Sequence, residues 1–198
     1  MKAPIPIPAP APAPTITKKQ LVDLGACKPG FDRFIAQTGN TDQPVEIFSL
    51  IGGKNTTADF LWLAGKTLPK HRIVQFAVEC AESVSHLHTD PRANAAIQSA
   101  KDWISEPSEV NRLKVCDAAY DAAAYAASAA YVASPAYCAA DAAVSAVYAA
   151  YAAAYAAAHA NANDAAIYAD DAYAAAYTAA YAESNEVVQA SLMKMFSE

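Results

Sequence analysis

The stretch AVYAAYAAAYAAAHANAN, residues 146–163, constrains the fold more than any other part of the chain. Alanine has the highest helix propensity and almost no side-chain volume. Such a run all but imposes helix, and it leaves little bulk with which to fill a core. Lys and Glu are the usual residues that keep such helices soluble. Here the larger side chains are aromatic: all 11 tyrosines of the chain lie between Tyr120 and Tyr181.

Charge is as unevenly placed as ring area. No Lys or Arg occurs between Val115 and Met193, a span that holds Asp117, Asp121, Asp141, Asp164, Asp170, Asp171, Glu183 and Glu186. The formal net charge is -6, so the remainder of the chain is slightly positive. An acidic surface repels phosphate, which argues against nucleic-acid or anionic-membrane partners and favours a basic protein.

Breakers divide this half. Pro107, Pro135 and the Asn161-Ala162-Asn163-Asp164 segment predict three long helices, roughly 108–133, 135–160 and 164–195, each about 35–45 Å long. Short connections make them antiparallel neighbours. At 100° per residue, Tyr137, Asp141, Val144, Tyr148, Tyr151, Tyr155 and His159 share an arc of roughly 80°. Asp170, Tyr173, Tyr177, Tyr181 and Val188 form a second stripe, and Leu113, Cys116, Tyr120 and Tyr131 a third. The backs of these helices are largely alanine, which permits close helix–helix approach.

A tyrosine stripe has two readings. It is core or core rim, or it is a rigid interface, because Tyr supplies large contact area and a hydroxyl that finds water or carboxylate. On the second reading the candidate partner-binding residues are Tyr148, Tyr151, Tyr155, Tyr173, Tyr177 and Tyr181. Asp141 and Asp170 join them, placed with Asp121 to accept the hydroxyls. Self-association through the Ala or Tyr faces is a version of the same idea.

The N-terminal half reads differently. Residues 3–14 alternate Pro with Ala or Ile, a polyproline-II-like pattern that lacks amide donors and cannot join a core. We therefore expect a flexible tail over 1–16 and a single all-α domain over 17–198, with short helices in 17–106 and the long Ala-rich ones in 107–198. Thr17 is a cap for KKQLVDLGA. Lys28-Pro29-Gly30 marks a turn, or Pro29 opens a helix ended by Gly39-Asn40. Another helix is expected from Val45 to Ile51. Thr56 or Thr57 caps ADFLWLAGK, Pro69 opens HRIVQFAVECAESVSHLH, and Asp90-Pro91 starts RANAAIQSAKDWI.

Motif chemistry is sparse. His86 and His88 are two residues apart, about 200° on a helix, and do not share a metal there. They read as helix-end histidines favoured by the dipole. Gly52-Gly53-Lys54-Asn55-Thr56-Thr57 lacks the GxxxxGK[ST] spacing of a phosphate loop. Lone Cys27 and Cys116 have no assigned base, and the Asp pairs read as solvated faces. No catalytic residue, metal ligand or cofactor is expected. The four cysteines lie far apart and no secretory h-region precedes them, which points to reduced thiols and the cytoplasm. Asp recurs through the Ala tract, so no transmembrane helix is expected.

The segments LVDLGACKPGFDRF, LWLAGKTLPKHRIVQFAVECAESV and HTDPRANAAIQSAKDWI precede the Ala tract. In that order, the chain resembles a family of immunity proteins from bacteria and their phages. The most specific pieces are Leu24-Gly25-Ala26-Cys27 and Asp90-Pro91-Arg92 with Ala96, Ile97, Ala100 and Trp103, and the match spans about Leu21 to Asn163. The resemblance implies an all-α protein of polymorphic-toxin systems that protects by binding a toxin, without catalysis. This chain departs from the pattern in its last half, where tyrosine and aspartate stand in place of interspersed arginines. Together these readings give a non-enzymatic inhibitory or immunity-type protein with a basic partner, toxin or defence effector. The alternative is an assembly protein that forms a homo-oligomer through its Ala and Tyr faces.

Overall fold

The computed structural model describes residues 13–132, 137–159, 161–179 and 184–197, with the side chains of 126–147, 179 and 184–186 set aside. The chain folds as an all-α multi-helix bundle carrying one tiny two-stranded sheet. Its elements are β1 (Thr15–Ile16), α1 (Lys18–Asp23), α2 (Lys28–Thr38), β2 (Val45–Glu46), a 3-10 turn (Ile47–Leu50), α3 (Thr57–Thr67) and α4 (Lys70–Ser83). A second 3-10 turn (Ser85–Leu87) leads to α5 (Pro91–Ser105), α6 (Glu109–Val132), α7 (Tyr137–Ala158), α8 (Ala162–Ala179) and α9 (Ser184–Phe196).

Local chemistry starts these helices where the sequence asks for it. Thr17 caps α1 and Thr56 caps α3, each in a reciprocal capping box, with Gln20 and Asp59 as the returning side chains. Pro29 lies in the first turn of α2, and Gly39 ends that helix at φ 72°, where a side chain would be strained. Asp90 caps α5 through the Arg92 amide, with Pro91 as its first residue.

Three expectations need correcting. The flexible tail does not extend to residue 16: Thr15–Ile16 pairs antiparallel with Val45–Glu46, Pro14 accepts the Ile47 amide, and Ile16 is buried. Val45 to Ile51 is not an α-helix but that strand followed by a 3-10 turn. The reason is the partner: Thr15–Ile16 and the Pro14 carbonyl take up the backbone hydrogen bonds of Val45 to Ile47 as a strand. The third long helix is two. Asp170 and Tyr173 of α8 line one cleft with Val188 and Leu192 of α9, yet in one straight helix positions 170 and 192 would stand about 33 Å apart. α9 therefore folds back beside α8 and buries its own apolar set, Val188, Leu192, Met195 and Phe196, with the Phe196 ring edge-on to Phe60.

α4 is the hub, packed against α3, α5, α7, α8 and α9. It brings the bulk: Ile73, Val74, Phe76, Val78 and Cys80 are buried almost completely. α7 and α8 bring the smoothness. Ala149, Ala150, Ala153, Ala154, Ala156 and Ala157 of α7, and Ala165, Ala169, Ala172 and Ala176 of α8, are fully buried. Large side chains on one helix thus meet methyl surfaces on its neighbours, so the core reaches close packing with little apolar volume from the Ala tract. Gly65 extends the rule to α3, because a side chain there would press on Ala166 Cβ and the Asn163 backbone of α8.

Candidate functional site

Because alanine takes the interior of α7 from Ala149 onward, Tyr148, Tyr151 and Tyr155 are left at the rim. Tyr148 is 38% exposed, and Tyr151, Tyr155 and His159 are half-buried. Their rings touch in sequence: Tyr148 to Tyr151 edge-on at 6.5 Å between centroids, Tyr151 to Tyr155 at 4.6 Å, and Tyr155 to His159 at 5.9 Å. Tyr168 of α8 closes the row, 5.2 Å from Tyr155 and stacked on His159 at 4.5 Å. Such contacts add to area burial and hold each ring in place, so the face is rigid.

Acid flanks the ladder. Asp164 approaches His159 Nδ1 at 3.8 Å and exchanges hydrogen bonds with Asn161, whose side-chain oxygen accepts the Asp164 amide at 2.9 Å. Asp171 is exposed one helical turn beyond Tyr168. The Tyr151 hydroxyl is held above its ordinary pKa, first by burial, then by Tyr155, Tyr168 and more distantly Asp171.

Cations from outside the Ala tract hold the end of the ladder helix. Lys70 Nζ donates to the Ala157 carbonyl at 2.5 Å and to that of His159, and lies 4.1 Å from the Trp103 ring centroid. Arg112 Nη1 donates to the Ala158 carbonyl at 3.2 Å. These are the carbonyls a helix leaves unpaired, at the negative end of its dipole. Burial, with Arg112 nearby, lowers Lys70 to about 8, so at neutral pH the ammonium remains charged.

The sequence places Tyr173, Tyr177 and Asp170 in the same candidate set, but the fold puts them elsewhere. At 100° per residue they lie roughly 140–200° around α8 from Tyr168. Asp170 and Tyr173 line a cleft of about 370 Å³ with the Gly52-Gly53 loop and α9, and Asp170 also lines one of about 300 Å³ against Trp62 and Lys66. Asp170 is half-buried, and its carboxyl is raised by that burial and by Asp171. No tyrosine hydroxyl pairs with it among the described residues. Tyr181 and the Asp141 side chain lie outside the described residues, as do the side chains of Tyr131 and Tyr137.

Tyr168 and Asp171 are the members that the stripe reading missed. Helical phase sets Tyr168 about half a turn from Tyr173 and Tyr177, but that this flank meets Tyr155 and His159 follows only from the packing of α8 on α7. Elsewhere, His86 and His88 do stand at a helix end, in the last turn and at the C-cap of the second 3-10 turn, but His88 is buried there with neither ring nitrogen paired, and burial lowers its pKa against the pull of Asp90. Among the described residues no cluster of three metal-ligating side chains occurs, and no helix is long and apolar enough to cross a membrane. Compared with known proteins, the chain matches no family model, no curated protein and no solved structure.

Proposed function

We propose that this chain is a non-enzymatic, immunity-type or inhibitory protein of the cytoplasm that neutralises a basic protein partner, a toxin or a defence effector. The contact face is the ring ladder Tyr148, Tyr151, Tyr155 and Tyr168, flanked by Asp164 and Asp171. One observation carries the reading: alanine, not tyrosine, fills the interior of α7, so the rings are free to serve as pre-ordered contact area. Rigid aromatic side chains lose little entropy on binding and dominate interface energetics. The acidic flank speeds encounter with a cationic surface and leaves a salt-dependent association rate. The LGAC and DPR segments, through their resemblance to immunity proteins, favour the same reading.

The test is capture followed by purified binding. The tagged chain should recover a basic protein from its native cells. Tyr148→Ala combined with Asp171→Asn should weaken binding to that purified protein by about tenfold or more, with melting unchanged. Recovery of the chain alone, or binding indifferent to both substitutions, defeats the proposal.

A second reading rests on α6, where Val110, Leu113 and Tyr120 are 64, 51 and 71% exposed along one face. Such a stripe suits helix-to-helix contact between copies. A monomer in solution eliminates that reading.

A further inference from the structure

The N-terminal half carries a separate opening that the binding face does not use. β1, α1, α2 and α3 converge on a pocket of about 250 Å³. Leu21, Phe34, Leu50, Phe60 and Leu63 form its buried walls. Native interiors hold few voids larger than a water molecule, and an apolar cavity of roughly 150 Å³ already stays dry and takes up benzene. This one is larger and opens to solvent.

The rim decides what fits. Arg33 binds Asp59 through two hydrogen bonds, Nε to Oδ2 and Nη2 to Oδ1, both 2.7 Å. Asp59 Oδ2 also accepts the Thr56 amide at 2.9 Å. Burial alone would raise the Asp59 carboxyl, but the Arg33 and Thr56 hydrogen bonds outweigh it and keep it ionised below its ordinary range. The two charges neutralise one another at close range, so the rim offers no net charge. Gly30 makes room for it, since a side chain there would meet Asp59 Oδ1 at 2.8 Å. Ala26 and Gly30 are the small residues that leave the space unfilled, and Cys27 stands exposed at the mouth.

The geometry points to a binding site for a small uncharged apolar molecule, an aromatic or short aliphatic body of about ten heavy atoms with at most one neutral polar group. A charged head group would have to break the Arg33 and Asp59 pair or sit beside it unpartnered, and either is costly.

The test uses the full-length chain with n-hexanol as probe, and hexanoate and hexylammonium as charged counterparts. Hexanol should raise the melting temperature dose-dependently, as any ligand of the folded state does. It should also slow alkylation of Cys27 severalfold, measured by mass spectrometry at that residue. The two ions should bind about tenfold more weakly or worse. Ala26→Leu, checked for its helical circular dichroism, should abolish both effects. If that variant does not fold, amide shifts in the wild-type chain decide, and they should centre on Phe31 and Trp62. The proposal is overturned if hexanol leaves Cys27 reactivity unchanged up to its solubility limit, if the shifts centre elsewhere, or if the ions bind equally well. Displacement of hexanol by a micromolar peptide of residues 3–14 overturns it too, by making the chain's own arm the occupant.

Discussion

The two halves of this molecule solve the same packing problem in opposite ways. Residues up to α5 bury large side chains, among them Phe34, Phe60, Leu61, Ile73 and Phe76. Among the described side chains, α7 and α8 bury methyl groups and leave their largest groups at the rim. The difference shows that hydrophobic residues inside is a statement about area removed from water, not about residue size. A helix that contributes almost no volume can still be core, provided its neighbours are bulky enough to reach it.

Removing bulk from the first region should hurt most. Phe76→Ala in α4 is expected to cost about 4 kcal/mol, read from urea denaturation, because it opens a void at the hub. Adding bulk to the second should be nearly as damaging: Ala153→Leu in α7 has nowhere to go and should cost about 3 kcal/mol. If Ala153→Leu melts like the parent, the alanine face is not close-packed and the contrast between the halves collapses.

The rim should respond less. Tyr151→Ala is expected to lose about 1–2 kcal/mol, since the ring is half-buried and touches two others, and Tyr148→Ala less than about 0.5 kcal/mol. Equal and large losses at both positions would make the ladder core after all.

The smallest effect is one of pH. The folded state holds His88 below its ordinary pKa of 6.5, mainly by burial, so the unfolded chain takes up its proton first as pH falls. Stability from this group is present above 6.5 and declines as pH falls through and below that value. The melting temperature should follow it, and His88→Gln should flatten that part of the profile. A profile unchanged by the substitution assigns the pH dependence to another group.

Most of this architecture is written locally. Thr17, Thr56 and Asp90 announce their helices by capping chemistry that depends on three or four neighbouring residues; the structure places Thr17 and Asp90 as read and selects Thr56 over Thr57. The Val45 to Ile51 segment misleads because its strand partner, Thr15–Ile16, is some thirty residues away, and no local pattern reports a pairing of that kind. The tyrosine stripes show the same division. Helical phase correctly groups Tyr148, Tyr151 and Tyr155 on one face. That alanine outcompetes tyrosine for the interior depends on the bulk of α4, which the phase of α7 does not contain. The stripe on the last helix breaks for a related reason: one phase spanning 164–195 groups Val188 with Tyr173, whereas Val188 reaches that cleft from a separate helix, α9.

The Lys70 and Arg112 contacts at the end of α7 bear on how the chain can come apart. Between Val115 and Met193 there is no Lys or Arg to neutralise the carbonyl end of the alanine helix, so that helix takes Arg112 from the first turns of α6 and Lys70 from α4, in the other half of the molecule. The second half is not complete without the first. Unfolding should therefore run as one cooperative transition, followed equally by tyrosine fluorescence from the second half and by Trp62 and Trp103 from the first.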